Sequence, residues 1–364
     1  RPERLRGRTC GLPAWGPPLL LVSRASNSTF RRGPVDCNQS TPRLAGAGVS
    51  VVPGNGSTSL GLLRSSNVNC MDNRAEIREF LSSRRARITP EQAGLPAYGG
   101  NRRVKGLRRE EVALLAGVSI DYYVRMERGN LAGASDSVLE SLSRALQLDE
   151  AETAHLYDLA KAASAGAPSR KRPAPKGVSP AIQQILDAIT DAPAWVRNAR
   201  HDMLAANRMA RALYSPVLAD PRRPANNARF VYLDPASQDF FVDWERAADD
   251  IAAMLRSEAG RNPHDKALTE LIGELATRSE VFRTRWAKHN VRFHRTGFKK
   301  VRHPVVGDLE LNFEAMELPS NPGLTLLVYT AAPGTPTADA LKLLASWAAT
   351  QDQLDPANDS EAAL

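Results

Sequence analysis

The 364-residue chain is long enough for two hydrophobic cores plus tails, and its net charge of +8 at pH 7 first suggests a nucleic-acid partner. The charge is badly placed for that reading: residues 1–70 hold 9 arginines and 2 acidic groups, a net of +7, which leaves +1 for everything after them. Overall basicity therefore decides nothing, and the apolar run at 17–22 is too short and too proline-broken to span a membrane.

Residues 1–70 also carry all three cysteines, Cys10, Cys37 and Cys70, in a stretch dominated by Gly, Pro, Ser and Asn without helical or strand periodicity. A clean helical pattern begins directly after Met71. The expectation is a disordered extension over 1–70, one that translation from Met71 would leave out. No cysteine follows, so disulfides and thiolate metal sites are not expected, as suits a reducing cytoplasm. No resident cofactor or metal is expected either.

The first helix is expected over 72–87, with Asp72 as N-cap, Ile77, Phe80 and Leu81 as its buried stripe, and Arg84, Arg85 and Arg87 complementing the dipole at its end. A connection over 88–107 contains Pro90, Pro96 and Gly99-Gly100, then the basic residues Arg102, Arg103 and Lys105. Residues 71–109 carry 10 basic and 4 acidic groups, which reads as a phosphate-gripping arm, the alternative being a solvated loop.

Residues 108–129 carry the strongest signal. Val112, Leu115 and Ala116 share one helical face, and Ala113 beside them leaves room for a second helix to cross steeply. Gly117 sits where the first helix must end at positive φ, and Ser119 can cap the next. Tyr123 and Met126 then point inward. Ser119, Ile120, Asp121, Val124, Arg125 and Arg128 are left outward, and Gly129 ends the helix. This pattern is a helix-turn-helix whose outward set would enter a DNA major groove, although an ordinary helical hairpin has the same spacing.

Arg109, at a helix start, would reach a phosphate, as would Arg108. Arg125 and Arg128 are long enough to read guanine or grip phosphate. Asp121 would accept from cytosine or merely repel the wrong register, and Tyr122 would touch the backbone rather than a base. Glu127 has the wrong sign for DNA and is expected to pair with Arg84 or Arg85.

Ser135 should cap a further helix with Val138, Leu139, Leu142, Leu146 and Leu148 as core, and Asp149 another through about Ala163. Residues 71–163 thus read as a complete all-α domain. Residues 164–178, rich in proline and basic groups, read as a linker, and 351–364 as a disordered tail. The second domain is expected over 179–350. Residues 179–364 hold 21 basic and 24 acidic groups, so this half offers no nucleic-acid surface. Helices are expected at 180–190, 201–214, 238–260, 264–278 and 279–289. Strands follow at 291–296, 298–302, 309–314 and 324–330, with turns at Gly297, Gly307-Asp308 and Asn321-Pro322-Gly323, and a last helix at 337–349. Helices followed by an antiparallel meander make an α+β domain. A sheet with helices on one face is a standard shape for an apolar small-molecule cavity.

The ending Tyr122-Tyr123-Val124-Arg125-Met126-Glu127-Arg128-Gly129 resembles the recognition helix of the lambda-repressor-like (Xre) family. Over about 72–345 the chain resembles the MmyB-like transcription regulators. The matching pieces are Gly106-Leu107-Arg108-Arg109-Glu110-Glu111-Val112-Ala113 and Leu115-Ala116-Gly117-Val118-Ser119, then Trp195, Asn207, Leu233-Asp234-Pro235, Asp243-Trp244-Glu245, Ser279-Glu280-Val281-Phe282, Trp286, His289 and His303-Pro304. Lys105 and Ala134 stand where relatives commonly have proline, and neither disturbs the motif.

The resemblance implies a lambda-repressor-like domain joined to a PAS-like ligand-binding domain, in a homodimeric one-component regulator. It would bind a double-stranded operator and hold a fatty-acid-like or other apolar effector. Trp195, Phe230, Phe241, Trp244, Phe282 and Trp286 are the expected acyl-lining residues, and Arg256, His303 and Asn207 the expected partners of a carboxylate head. Two rivals stay open. The second domain would otherwise serve dimerisation or a protein partner without ligand, or be an enzyme. For the latter, His289, His294 and His303 lack metal-site spacing, and no nucleophile elbow or phosphate-binding loop accompanies them.

Overall fold

The computed structural model describes residues 72–96, 104–164 and 177–354. Helix α1 (Asn73–Arg87) begins where the Asp72 carboxylate accepts the Arg74 amide, and Arg84, Arg85 and Arg87 occupy its last turn. Helix α2 (Arg109–Ala116) ends on Gly117 at φ 66°, a left-handed conformation that costs a residue bearing a Cβ roughly 1–2 kcal/mol. The Ser119 hydroxyl caps α3 (Ile120–Glu127) by accepting the Tyr122 amide, and Ser135 caps α4 (Asp136–Ala145) through Val138. Asp149 and Glu152 exchange side-chain-to-amide bonds at the start of α5 (Glu150–Ser164). The amphipathic stripes of these helices close one core around Ile77, Phe80, Leu81, Val112, Tyr123, Met126, Leu139, Leu142 and Leu156. Each fully buried aliphatic side chain there contributes roughly 1.5–3 kcal/mol.

The second half runs α6 (Pro180–Ala188), β1 (Ala194–Asn198), β2 (Met203–Ala206), α7 (Arg208–Leu213), α8 (Ser215–Leu218), α9 (Asn227–Leu233), α10 (Ala236–Phe240), α11 (Trp244–Arg261), α12 (Lys266–Arg278), α13 (Glu280–Trp286), β3 (Thr296–His303), β4 (Gly307–Glu317), β5 (Leu324–Thr330) and α14 (Pro336–Leu354). The strands form one antiparallel sheet in the order β2-β1-β5-β4-β3. Period-two alternation decides its faces: Leu309, Leu311 and Phe313 of β4 are buried while Glu310, Asn312 and Glu314 are exposed. Trp195, Leu327 and Tyr329 pack into the large core with the helices between β2 and β3. Ala194, Val196, Ala205 and Leu326 face the other way and are covered by Ile182 and Leu186 of α6.

The expected α+β meander is present as β3–β5, but four local readings are corrected. The helix expected at 201–214 is a strand followed by a helix, because Met203 to Ala206 pair with β1 and the Asn207 cap starts α7 only after them. The helix expected at 238–260 breaks around Phe241, which bridges to Val301 of the sheet, and restarts on the Asp243 cap. Gly297 is no turn; it lies inside β3, opposite Phe313. The stretch 291–296 pairs only from Thr296, because Val291 and Phe293 pack instead against the core of the helical domain.

That strap is one of several contacts joining the two cores. Helix α11 lies so close to α5 that a Cβ built on Gly260 would meet the His155 ring at 2.4 Å. Glycine is required at that point by close approach. Among the described residues no helix is long and apolar enough to cross a membrane.

Candidate nucleic-acid interface and ligand cavity

Gly117 aims α3 across α2, and three inward residues fix its angle. Tyr123 and Met126 are fully buried, and Glu127 is 2% exposed. The Glu127 carboxylate accepts from Arg85 Nε at 2.7 Å, pairs with Arg109, and lies 3.5 Å from the Tyr123 hydroxyl. Burial, then the Glu127 charge, holds the Tyr123 phenol protonated well above its usual range. The hydrogen bond from Arg109 to Glu127 raises the guanidinium pKa further, so Arg109 acts here as a brace between α2 and α3. Of the two expected partners of Glu127, Arg85 is the one found. Arg84 turns away, with Nε 3.0 Å from Glu152 and a bond to the His289 carbonyl.

The other side of α3 is open. Ser119, Ile120, Asp121, Arg125 and Arg128 are exposed, while Tyr122 and Val124 are half-buried. The Arg125 guanidinium lies 4.8 Å above the Tyr122 ring, a cation–π contact that pre-orients it without neutralising it. Lys105 and Arg108 are exposed just ahead of α2, and Arg102 and Arg103 lie outside the described residues. A charged, unburied row on a rigidly braced helix is what a major-groove reader requires.

The second feature is a narrow, partly open cavity between the sheet and α11, with about 20 Å³ of internal space. Strand alternation places Trp195 and Arg197 of β1, Leu327 and Tyr329 of β5 and Lys299 of β3 along it, while α11 contributes Ala247, Asp250, Ile251 and Met254. His201 reaches it from the β1–β2 turn, where it adopts φ 65°, a strained conformation for a residue with a Cβ. Asn227, Phe241 and His294 complete the lining.

Among the described residues, four buried polar atoms around this one cavity have no hydrogen-bond partner: Trp195 Nε1, His201 Nε2, Asn227 Oδ1 and His294 Nδ1. Burial, reinforced by the neighbouring cations, drives the His201 imidazole pKa far down and that of His294 to about 2, so both rings are neutral. Burial also lowers the Arg197 guanidinium to about 10.

A third arrangement joins the two halves. Arg256 of α11, 1% exposed, donates to the buried Glu76 carboxylate of α1 at 2.5 Å and to the Trp286 carbonyl, with its guanidinium 3.9 Å above the Trp286 ring. Burial alone would raise the Glu76 pKa; His155, His289 and Arg256 instead hold it far below the carboxylate range. His289 Nε2 also reaches Glu79 at 3.1 Å.

Against models of known protein families, residues 178–344 match the MmyB-like transcription regulator ligand binding domain, and residues 77–156 match a helix-turn-helix domain. The chain belongs to the MmyB-like transcription regulators. This regulator binds DNA through its first domain, and its second is a ligand-binding domain. No curated protein matches the chain.

Of the effector residues expected in this MmyB-like regulator, only Trp195 and Phe241 line the cavity. Phe282 packs edge-on to Tyr232 at 4.9 Å and stacks on Trp286 at 5.4 Å. Trp244 donates to the Val231 carbonyl and Ser237 hydroxyl. Phe230 borders a separate, roomier hollow of about 290 Å³, whose Arg222 and Arg229 are already paired with Asp220 and Glu274.

The three expected head-group partners lie elsewhere and have their bonds filled. Asn207 makes four: it accepts the Ala194 and Ala210 amides and donates to the Ile189 and Ala192 carbonyls. His303 bonds the Ala212 carbonyl and accepts amides from Val305 and Val306, and Arg256 is held by Glu76.

Sequence reasoning missed Arg197, His201, Asn227, His294 and Lys299. The tryptophan–arginine alternation at 195 and 197 was the available signal, and it acquires meaning only once β1 is recognised as a strand.

Proposed function

We propose that the regulator is a homodimeric, one-component switch of the Xre type. In this reading α3 enters the major groove of an operator. Ser119, Ile120, Asp121, Arg125 and Arg128 meet bases and nearby phosphates, and Arg102, Arg103, Lys105, Arg108, Arg109 and Tyr122 hold the backbone. The observation that carries it is the two-sided character of α3, with Glu127 buried and braced from behind while Arg125 stands exposed and pre-oriented in front. Arg125→Ala is expected to cost about 1–3 kcal/mol and to relax specificity at one base pair, read by fluorescence anisotropy over a panel of singly substituted operators. Equal weakening on every sequence would instead make Arg125 a phosphate contact.

The second domain, in the same proposal, is PAS-like and holds a small effector with an apolar, fatty-acid-like portion. The sheet order, with helices inserted between β2 and β3, supports the fold reading. Phe241, Ile251, Met254 and Leu327 along the cavity support the apolar portion. Helix α11 links the two events: it lines the cavity through Met254 and, two residues on, meets α1 through Arg256. An effector that moves α11 would shift the helical domain and so the spacing of two recognition helices, which must match half-sites about 34 Å apart.

Native mass spectrometry of the intact chain tests this directly. A dimer that releases an amphiphilic small molecule on denaturation supports the proposal. An empty dimer, with DNA binding intact and unresponsive to added lipid extract, favours a dimerisation or partner-binding module.

A further inference from the structure

We infer that the effector is an organic anion that also carries a hydrogen-bond donor, and that Arg197 and Lys299 take its acidic group. The inference rests on the effector reading above and specifies the chemistry of the same site.

Buried charges in folded proteins are paired, because an isolated one loses its hydration without replacement. This chain follows that rule elsewhere. Arg256 meets Glu76, Arg84 meets Glu152, and the arginines of the neighbouring hollow meet Asp220 and Glu274. Around the cavity, half-buried Arg197 and Lys299 lack such a partner. Arg197 reaches only the Asn198 carbonyl at 3.4 Å and the Met254 sulfur at 3.9 Å. Lys299 lies over the Phe241 and Phe313 rings, 5.4 and 5.9 Å from their centroids. Among the described residues neither cation has a carboxylate partner. Glu258 and Glu317 act on Arg197 only at longer range, and Asp250, the one acid lining the cavity, is bonded to Arg292 at 2.5 Å. Two half-buried cations without a carboxylate partner flank one partly open cavity, an arrangement that suits an anion.

The unpartnered atoms refine the class. Trp195 Nε1 is a donor only and suits an acceptor oxygen of the ligand, and each neutral imidazole can donate from one nitrogen. Asn227 Oδ1 is an acceptor only, so it calls for a donor on the ligand, a hydroxyl or an amine. An unsubstituted fatty acid satisfies the cations and leaves Asn227 unmet. A hydroxy or amino acid with an apolar body satisfies both.

The test compares three matched probes by calorimetric titration of the full chain: 3-hydroxyoctanoate, octanoate and the methyl ester of 3-hydroxyoctanoate. The hydroxy acid should bind several-fold more tightly than octanoate, the difference one satisfied hydrogen bond makes. It should bind at least about tenfold more tightly than the ester, which lacks the charge. Lys299→Met should remove most of the preference of acid over ester. Lys299→Arg should restore it, which separates loss of charge from loss of fold. Ester and acid binding alike would overturn the anion class and leave the effector reading standing. Octanoate equal to the hydroxy acid would overturn the donor requirement. Binding of none of the three, by protein that still binds DNA, would overturn the effector reading and this inference with it.

Discussion

The two halves of the molecule handle charge in opposite ways. In the helical domain the buried charges are answered by other side chains of the protein: Glu127 by Arg85 and Arg109, Glu76 by Arg256 of α11, Arg84 by Glu152. Its unanswered groups, Arg125 and Arg128 among them, stand outside, where a polyanion can reach them. The second domain reverses this. Its outer charges pair across the sheet surface, as Lys300 does with Glu310 and Arg302 with Asp308, while half-buried Arg197 and Lys299 meet no carboxylate among the described residues around a partly open cavity. An unpaired charge marks where the molecule expects something else to bind. Here one such place faces a long, fixed rod and the other a small molecule.

That contrast can be broken at its strongest point first. Glu76→Gln leaves Arg256 buried without a counter-charge and should cost about 3–5 kcal/mol in urea unfolding of the full chain. A loss below about 1 kcal/mol would mean that the joint between α1 and α11 is solvated. Next comes the Ser119 cap, whose loss in Ser119→Ala should cost about 1 kcal/mol. DNA affinity should fall with it as α3 frays, which salt-dependent titration of the operator complex would register.

Arg197→Met should behave unlike either. Removing an uncompensated guanidinium ought to leave the melting temperature of ligand-free protein unchanged or raise it, while abolishing the preference for acidic ligands. A fall comparable to that of Glu76→Gln would show that Arg197 has an internal partner and would erase the difference between the two domains.

The smallest effect is a gradual one with pH. His155, His201 and His294 have folded pKa values depressed by burial, His201 and His294 further by Arg197 and Lys299. The unfolded chain therefore takes up protons near pH 6.5 that the folded chain does not. Stability should be complete above that pH and decline below it. Glu76, with its folded pKa depressed, adds a further loss once the pH falls through the ordinary carboxylate range. An anionic ligand beside the two cavity imidazoles should raise their pKa values, so binding should tighten as the pH falls, and calorimetry in buffers of different ionisation enthalpy would measure the proton uptake.

The helical domain was readable because its determinants are local. Asp72, Ser119 and Ser135 each cap the adjoining helix, and Gly117 ends α2 where its missing Cβ is needed. In the second domain the turns at Gly307-Asp308 and Asn321-Pro322-Gly323 marked the meander for the same reason. The β1–β2 hairpin escaped because its strands are five and four residues long, and Met203 to Ala206 is as good a helix start as a strand until β1 lies beside it. The acyl-lining aromatics were over-assigned. Which ring lines a cavity and which packs against another ring depends on neighbours that come from distant parts of the chain.

The sequence by itself therefore determined the helix-turn-helix, the outward row of α3, the α+β character of the second domain and the family. Each of these rests on caps, glycines and periodicities that act within a few residues. Only the tertiary structure decided that Arg256 joins Glu76 across 180 residues while Arg197 meets no carboxylate among the described residues. Whether a charge has a partner is a property of three-dimensional neighbourhood, and in this protein that property marks the site.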